Sequence, residues 1–229
     1  MQNNLGRLMA GDVMFEDRDG SGSIGTGAGT VDDPGDMMII GNTTPRYSYS
    51  FRIEASWNGF DISAFFQGVG KRDWYPTANK DDIYGANQFW QLYGYTIPSF
   101  ITYDFMDDVW SEQNPGGYFP RLRPIQSYNG GPLGQNNDRY LQSVAYLRFK
   151  NLTIGYTLPV LKKYLSKLRI YVSGENLFFW SPLKKYAKNY DPEMITAGDA
   201  DFASKTGTDG QGYGYPMTRS VTIGLNINF

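Results

Sequence analysis

The sequence predicts an all-β fold of antiparallel, up-and-down strands of transmembrane β-barrel type, joined by alternately short and long connections. Three observations lead there. The last stretch, Ser220 to Phe229, alternates without a fault: Val221, Ile223, Leu225, Ile227 and Phe229 are apolar, while Ser220, Thr222, Gly224, Asn226 and Asn228 are small or polar. Tyr47 to Trp57 alternates in the same way and runs through Asn58-Gly59 into a second alternating stretch. The connections after the first and third strands are short, and those after the second and fourth are long.

A strand has a period of two, so each alternating stretch has one greasy and one polar face. The terminal strand alone suits a soluble sheet with the greasy face on a core. It equally suits a barrel with that face on lipid, the odd-numbered set outside and the even-numbered set toward a wet lumen. In the first hairpin Tyr47, Tyr49, Phe51, Ile53, Ala55 and Trp57 share one face, and Ser48, Ser50, Arg52, Glu54 and Ser56 the other. Asn58-Gly59 is the dipeptide a two-residue turn favours. Phe60, Ile62, Ala64 and Phe66 then oppose Asp61, Ser63 and Gln67, with Phe65 the one exception. Aromatics at both ends of the first strand's greasy face, with smaller residues between, are the distribution of two interfacial belts.

Tyr140 to Thr157 reads as strand, with Leu147 and Phe149 opposite Arg148 and Lys150. After Asn151 the apolar set becomes Leu152, Ile154 and Tyr156, which predicts a bulge near Lys150–Asn151. Leu168 to Trp180 alternates at first, breaks phase at Gly174 to Asn176, and closes on Phe178-Phe179-Trp180. An antiparallel meander sends alternate connections to opposite ends. Asn58-Gly59 and the 158–167 connection are therefore expected at one end, and the long loops 71–137 and 181–217 at the other. Membrane barrels show this asymmetry, with short periplasmic turns and long extracellular loops. The charged residues Arg52, Glu54, Asp61, Arg148, Lys150, Arg169 and Glu175 are expected on the lumen side, chiefly pairing with one another. Five strands do not close a membrane barrel, which needs about eight.

Composition narrows the chemistry. The chain has no cysteine and no histidine, which removes disulfides, thiolate chemistry, His-based triads and ordinary zinc sites. A formal net charge of -2 gives no basic footprint for nucleic acid. No run of about 18 apolar residues exists, so no helix crosses a membrane, which leaves strands as the only spanning elements. The opening Met1 to Gly6 lacks the pattern of a signal peptide. That leaves a cytoplasmic chain or the tail of a longer one, and the rest of the sequence favours the tail.

Residues 1–45 form an Asp/Gly-rich segment, expected to be extracellular and to carry an EF-hand-like turn, ahead of barrel strands over 46–229. Asp17-Arg18-Asp19-Gly20-Ser21-Gly22-Ser23-Ile24 has oxygen side chains at alternate positions and a glycine at the sixth, as in the first part of a calcium loop. The twelfth position is Ala28, where a bidentate Glu is expected. Asp17, Asp19, Ser21 and the Ser23 carbonyl, completed by Asp32 or Asp33, are the candidate Ca2+ ligands. A solvated turn is the competing reading. Trp74, Tyr75, Trp90, Tyr93 and Trp110 in the long loop are candidates for stacking on sugar rings, against a role in packing the loop on itself. Adjacent acid pairs such as Asp32/Asp33, Asp81/Asp82 and Asp107/Asp108 are the material of a glycosidase dyad, but sequence neighbours are expected to mark solvated loops, and on a strand they would point to opposite faces. The chain is not expected to be an enzyme.

Motifs along nearly the whole chain resemble the C-terminal part of SusC/RagA-type TonB-linked (TonB-dependent) outer-membrane transporters. They include Gly11-Asp12-Val13 running into Asp17 to Ile24, Ile40-Gly41-Asn42 leading to Pro45-Arg46-Tyr47, and Asp61 to Gly68. Further along come Trp110 through Asn114-Pro115 to Pro120-Arg121, Tyr146 to Pro159, Leu168 to Leu177, Tyr190-Asp191-Pro192-Glu193 and Tyr215-Pro216. A terminal strand ending on Phe229 also resembles the insertion signal of outer-membrane barrels. The resemblance implies the C-terminal segment of a roughly 22-stranded barrel around an N-terminal plug. It implies import of glycans or peptides across a Gram-negative, Bacteroidetes-type outer membrane, with a SusD-like surface lipoprotein as lid. Contact with the TonB complex would run through a part of the protein this chain lacks, as it lacks the plug and most strands. The alternative is a soluble calcium-dependent carbohydrate-binding β-domain using the Asp-rich loop and the tryptophans.

Overall fold

The computed structural model describes residues 9–75, 104–121, 136–159, 165–188, 190–195 and 217–228. The main element is an antiparallel five-stranded sheet. Its strands, in spatial order, are β1 (Ser48–Trp57), β2 (Phe60–Val69), β5 (Tyr146–Leu158), β6 (Lys167–Trp180) and β7 (Ser220–Asn228). A small ladder of β3 (Asp73–Trp74) and β4 (Gln142–Ser143) stands beside it. No α-helix occurs among the described residues, only 3-10 turns such as Phe105–Asp108 and Pro182–Lys185. The sheet is open, with β1 and β7 at its edges.

The Asn58-Gly59 turn forms as expected. Both residues have positive φ, 48° and 86°, the left-handed pair that a type I′ hairpin requires. Register then carries the alternation across the sheet. Ile53 pairs with Ala64, Ala64 with Leu152, Leu152 with Gly174 and Gly174 with Val221. Ala55, Ile62, Ile154, Val172 and Ile223 make the next row. The bulge lies where the parity flips: β2 pairs Phe65 with Asn151 and Phe66 with Phe149, leaving Lys150 as the extra residue. On β6 the phase break is local. Asn176 takes φ 48°, Leu177 folds back over Gly174, and Phe178 and Trp180 remain on the face of Leu168, Ile170 and Val172.

One face of the sheet is therefore apolar on every strand, and none of the described residues packs over it. Ile223 is 76% exposed and Trp57 78%, values foreign to a sandwich core. Aromatics gather at its two ends. Phe51, Phe66, Phe149, Phe178 and Trp180 form a continuous ring contact with centroids 4.5–5.3 Å apart. At the other end Trp57 pairs with Phe60, which packs on Tyr156 at 4.4 Å. Aliphatic residues lie between, and Phe51 and Trp57 are about 20 Å apart along the strand at 3.3–3.4 Å per residue.

The opposite face is polar and ion-paired. Asp61 on β2 receives both Arg169 Nε at 2.9 Å and an Arg169 terminal nitrogen at 2.5 Å from β6. The guanidinium crosses β5 at Gly155, where a Cβ would lie 2.5–2.7 Å from it. Arg52 and Glu54 pair at 3.6 Å. Phe65, the exception on this face, lies beneath the Arg52 guanidinium at 5.5 Å.

The strand ends joined by both short connections lie at one end of the sheet. The segment before β1 and the described parts of both long connections lie at the other. There a small aromatic core forms from Trp74, Phe105, Val109, Phe119, Tyr140, Val144, Leu183, Ala187, Tyr190 and Ile195.

Gly155→Val should push Arg169 off Asp61 and destabilise the sheet by about 1–3 kcal/mol, the usual cost of overpacking. Urea unfolding in detergent micelles measures it. Asp61→Asn added to Gly155→Val should bring little further loss, because both changes remove the same contact; full additivity would show that the two sites are not linked.

Candidate functional site at the loop end of the sheet

The loop end carries three groupings. The first is a buried ion network on the polar face. Arg148 of β5 is 2% exposed and pairs with Asp191, itself nearly buried. Its Nε lies 2.8 Å from Glu193 Oε2, and Glu193 also takes Lys150 Nζ at 2.5 Å. Asp191 accepts the amides of Glu193 at 3.0 Å and Met217 at 3.3 Å. The Arg148 guanidinium rests on Phe179 at 4.7 Å. Charge of this kind is buried only where paired and hydrogen-bonded, so the short segment Tyr190–Ile195 is held down onto the sheet. Arg72 is buried nearby, with Nε donating to the Thr43 carbonyl at 3.0 Å, and burial lowers its pKa.

The second grouping is the Asp-rich turn. Asp17 accepts the amides of Gly20, Ser21 and Gly22 at 2.8–3.2 Å, and Asp19 accepts Ser21 at 2.8 Å. Gly20 and Gly22 both take positive φ, as the tight winding requires. The Ser21 hydroxyl donates to the Ser23 carbonyl at 2.9 Å. The carboxylate that joins Asp17 and Asp19 is Asp36: one oxygen from each lies within 4.8 Å of the others. Asp33 turns away to its own turn and accepts the Ala28 amide at 2.9 Å. Asp32 is exposed and is not in that cluster. Asp36 was missed because no spacing rule reaches it from Asp17; the Pro34-Gly35 bend that returns the chain is the only local sign. Asp36 accepts the Arg18 and Gly25 amides at 2.6 and 2.7 Å. Hydrogen bonds lower both carboxyl pKa values: chiefly that with Ser21 at Asp19, and the Gly25 amide at Asp36.

The third grouping is aromatic. Trp74 is 6% exposed and packs on Tyr190 at 5.2 Å. Tyr75 packs against the same core, and its hydroxyl accepts Asn137 Nδ2 at 3.0 Å. Trp110 lies between the backbone of Gly11 and the Arg121 guanidinium, the latter 4.9 Å from its ring. These three rings are engaged in packing the loops together. Trp90 and Tyr93 lie outside the described residues. Tyr118 and Tyr186 stack at 3.5 Å in the same cluster, and burial pushes the neighbouring Tyr140 hydroxyl up to about 12.

No family model matches the chain. Two curated relatives do, both from Formosa agariphila. TonB-dependent receptor P3 is 31% identical over 224 residues, covering 96% of this chain and 19% of the receptor. TonB-dependent receptor P26 is 25% identical over 227 residues, covering 96% of this chain and 20% of the receptor. The chain thus spans about one fifth of the length of the relatives it matches. Among solved structures, the RagAB peptide transporter matches with a TM-score of 0.52 at 21% identity, over 83% of this chain and 18% of that one. That match concerns the fold, and it joins the sheet described above to a barrel of the same construction. Sequence and fold agree: the chain is similar to a stretch of TonB-dependent receptors, and its sheet is built like the wall of such a barrel.

Proposed function

We propose that this chain forms part of the wall and outer loops of an outer-membrane importer. The observation that carries the reading is the continuous apolar face, bounded by two aromatic rows and backed by a polar, ion-paired face. Lipid solvates the first face and a wet passage the second. A soluble carbohydrate-binding domain offers no cover for such a face. The chain is read as the C-terminal strands of a barrel of roughly 22, with the long loops and the Asp-rich segment extracellular and the Asn58-Gly59 turn periplasmic. The cargo is a glycan or a peptide. A SusD-like lipoprotein closes the outer mouth, and TonB energises uptake through the part of the receptor outside this chain. The relatives are named as receptors, which supports a transport role rather than an enzymatic one.

Sidedness has a direct test in intact cells. With Met106→Cys and Asn58→Cys introduced separately into the receptor, an impermeant thiol reagent should label position 106 and spare 58. Met106 is exposed at the loop end and Asn58 lies at the turn end. Labelling of 58 alone would invert the topology.

Calcium binding is proposed at Asp17 and Asp19 with the Ser21 and Ser23 oxygens, closed by Asp36 in the place first given to Asp32 or Asp33. Calorimetry on the intact receptor should give a calcium-dependent heat that Asp17→Ala abolishes. Asp19 and Asp36 have pKa values below the ordinary 3.8, so both stay charged above that value. Their contribution is present above pH 3.8 and is lost as pH falls through the lowered values. Binding should therefore persist through the ordinary carboxyl range and fall away only as pH drops through the lowered values. No heat in the unaltered receptor leaves the amide-filled turn as the whole explanation.

A further inference from the structure

Resting on the transport reading, we infer that Arg148 is the positioning residue for Tyr190–Ile195, and that it holds this segment across the polar face as a fixed part of the passage lining. Three parts of the chain meet at Asp191: Arg148 from the wall, the Glu193 amide from the outgoing limb, and the Met217 amide from the returning limb. One carboxylate therefore ties both limbs of the connection between β6 and β7 to β5.

The bulge contributes the second tie. Lys150 is the residue in excess there, and its ammonium reaches Glu193 beside Arg148. Apolar contacts complete the hold, with Tyr190 on Trp74 and Ile195 fully buried. A loop waving in solvent would leave Arg148 hydrated, yet Arg148 is among the most deeply buried side chains of the described residues. What this segment leaves half-buried is Glu193 and Met194. These two lie over the buried Arg148 and face the passage at this level.

The test uses the full receptor in the outer membrane with Met194→Cys carrying a nitroxide spin label. The spectrum should be that of an immobilised label. In an Arg148→Met background it should become mobile, and in a separate, unlabelled Met194→Cys preparation an impermeant thiol reagent should react about tenfold faster or more, as expected when one partner of a buried pair is removed. A label at Thr153→Cys, lower on the same face, should be unchanged. Heat-modifiable gel mobility reports whether the barrel remains folded. If Arg148→Met does not fold, Glu193→Gln and Lys150→Met carry the test, because both partners are partly exposed. They should give a smaller loosening of the same kind. A mobile label in the unaltered receptor, or an unchanged one in every folded variant, overturns the inference. Neither readout involves uptake, so a receptor that imports nothing would sink the transport reading and leave this one standing.

Discussion

Register is the constraint on which everything else in this chain rests. The side-chain period of a strand is two, so a slip of one residue in any pairing would turn an apolar set onto the polar face. The sheet has to keep phase through four pairings. It does so although β5 is not regular: Lys150 is squeezed out of the ladder, and the residues beyond it change parity in compensation. Phe149 stays in line with Phe66 and Phe178, and Leu152 with Ala64 and Gly174. Without the bulge, the lower half of β5 would put Asn151 and Thr153 on the apolar face and Leu152 and Ile154 on the polar one.

The two faces solve different solvation problems. In hydrocarbon no water is present to satisfy a backbone amide, so a spanning strand must find all its partners in its neighbours. The interior strands β2, β5 and β6 do so here, while β1 and β7 each present an edge. Those edges are what an open piece of sheet must show, and the chain spans about one fifth of the length of the relatives it matches. On the polar side, charged side chains find one another across strands, as in Asp61 with Arg169, or between a strand and a loop, as in Arg148 with Asp191. Removing one member of the buried pair leaves its partner uncompensated at about 3–5 kcal/mol, whereas exposed pairs such as Arg52 with Glu54 contribute at most about 1 kcal/mol.

The sheet was legible in the sequence because its signals are local. Perfect alternation in β1, the Asn-Gly turn and the parity flip at Lys150 are each contained in a few residues, and each has one physical meaning. The end-to-end sorting of short and long connections followed from strand order alone. The loop end was not legible, because its contacts join residues far apart in the chain. Asp191 is 43 residues from Arg148, and nothing near either one announces the other. The same holds for Asp36, which reaches the Asp-rich turn by a return of the chain that no spacing rule anticipates. Trp74 and Trp110 have the composition of a sugar platform, and their contacts with Tyr190 and Arg121 join residues that are not neighbours in the chain.

Glycine placement connects these levels. Glycine is a poor strand residue, yet four strand positions use it for one purpose: a neighbour's long side chain lies flat over it. Tyr49 covers Gly68, Arg169 covers Gly155, Leu177 covers Gly174 and Tyr171 covers Gly224. The Arg169 case shows why. Its partner Asp61 is two strands away, about 10 Å at the ordinary strand spacing, and a guanidinium spans that only by running along the sheet surface. Any Cβ at position 155 would lift it off. At Gly224 the covering ring belongs to Tyr171, whose other neighbour is the same Arg169 at 5.0 Å. The polar wall toward the turn end is thus a linked row from Asp61 to Gly224, crossing β2, β5, β6 and β7 with its longest side chains laid down. Such a wall is low in relief, and the relief of the polar face is concentrated at the loop end, where Arg148 gathers Tyr190–Ile195 onto it.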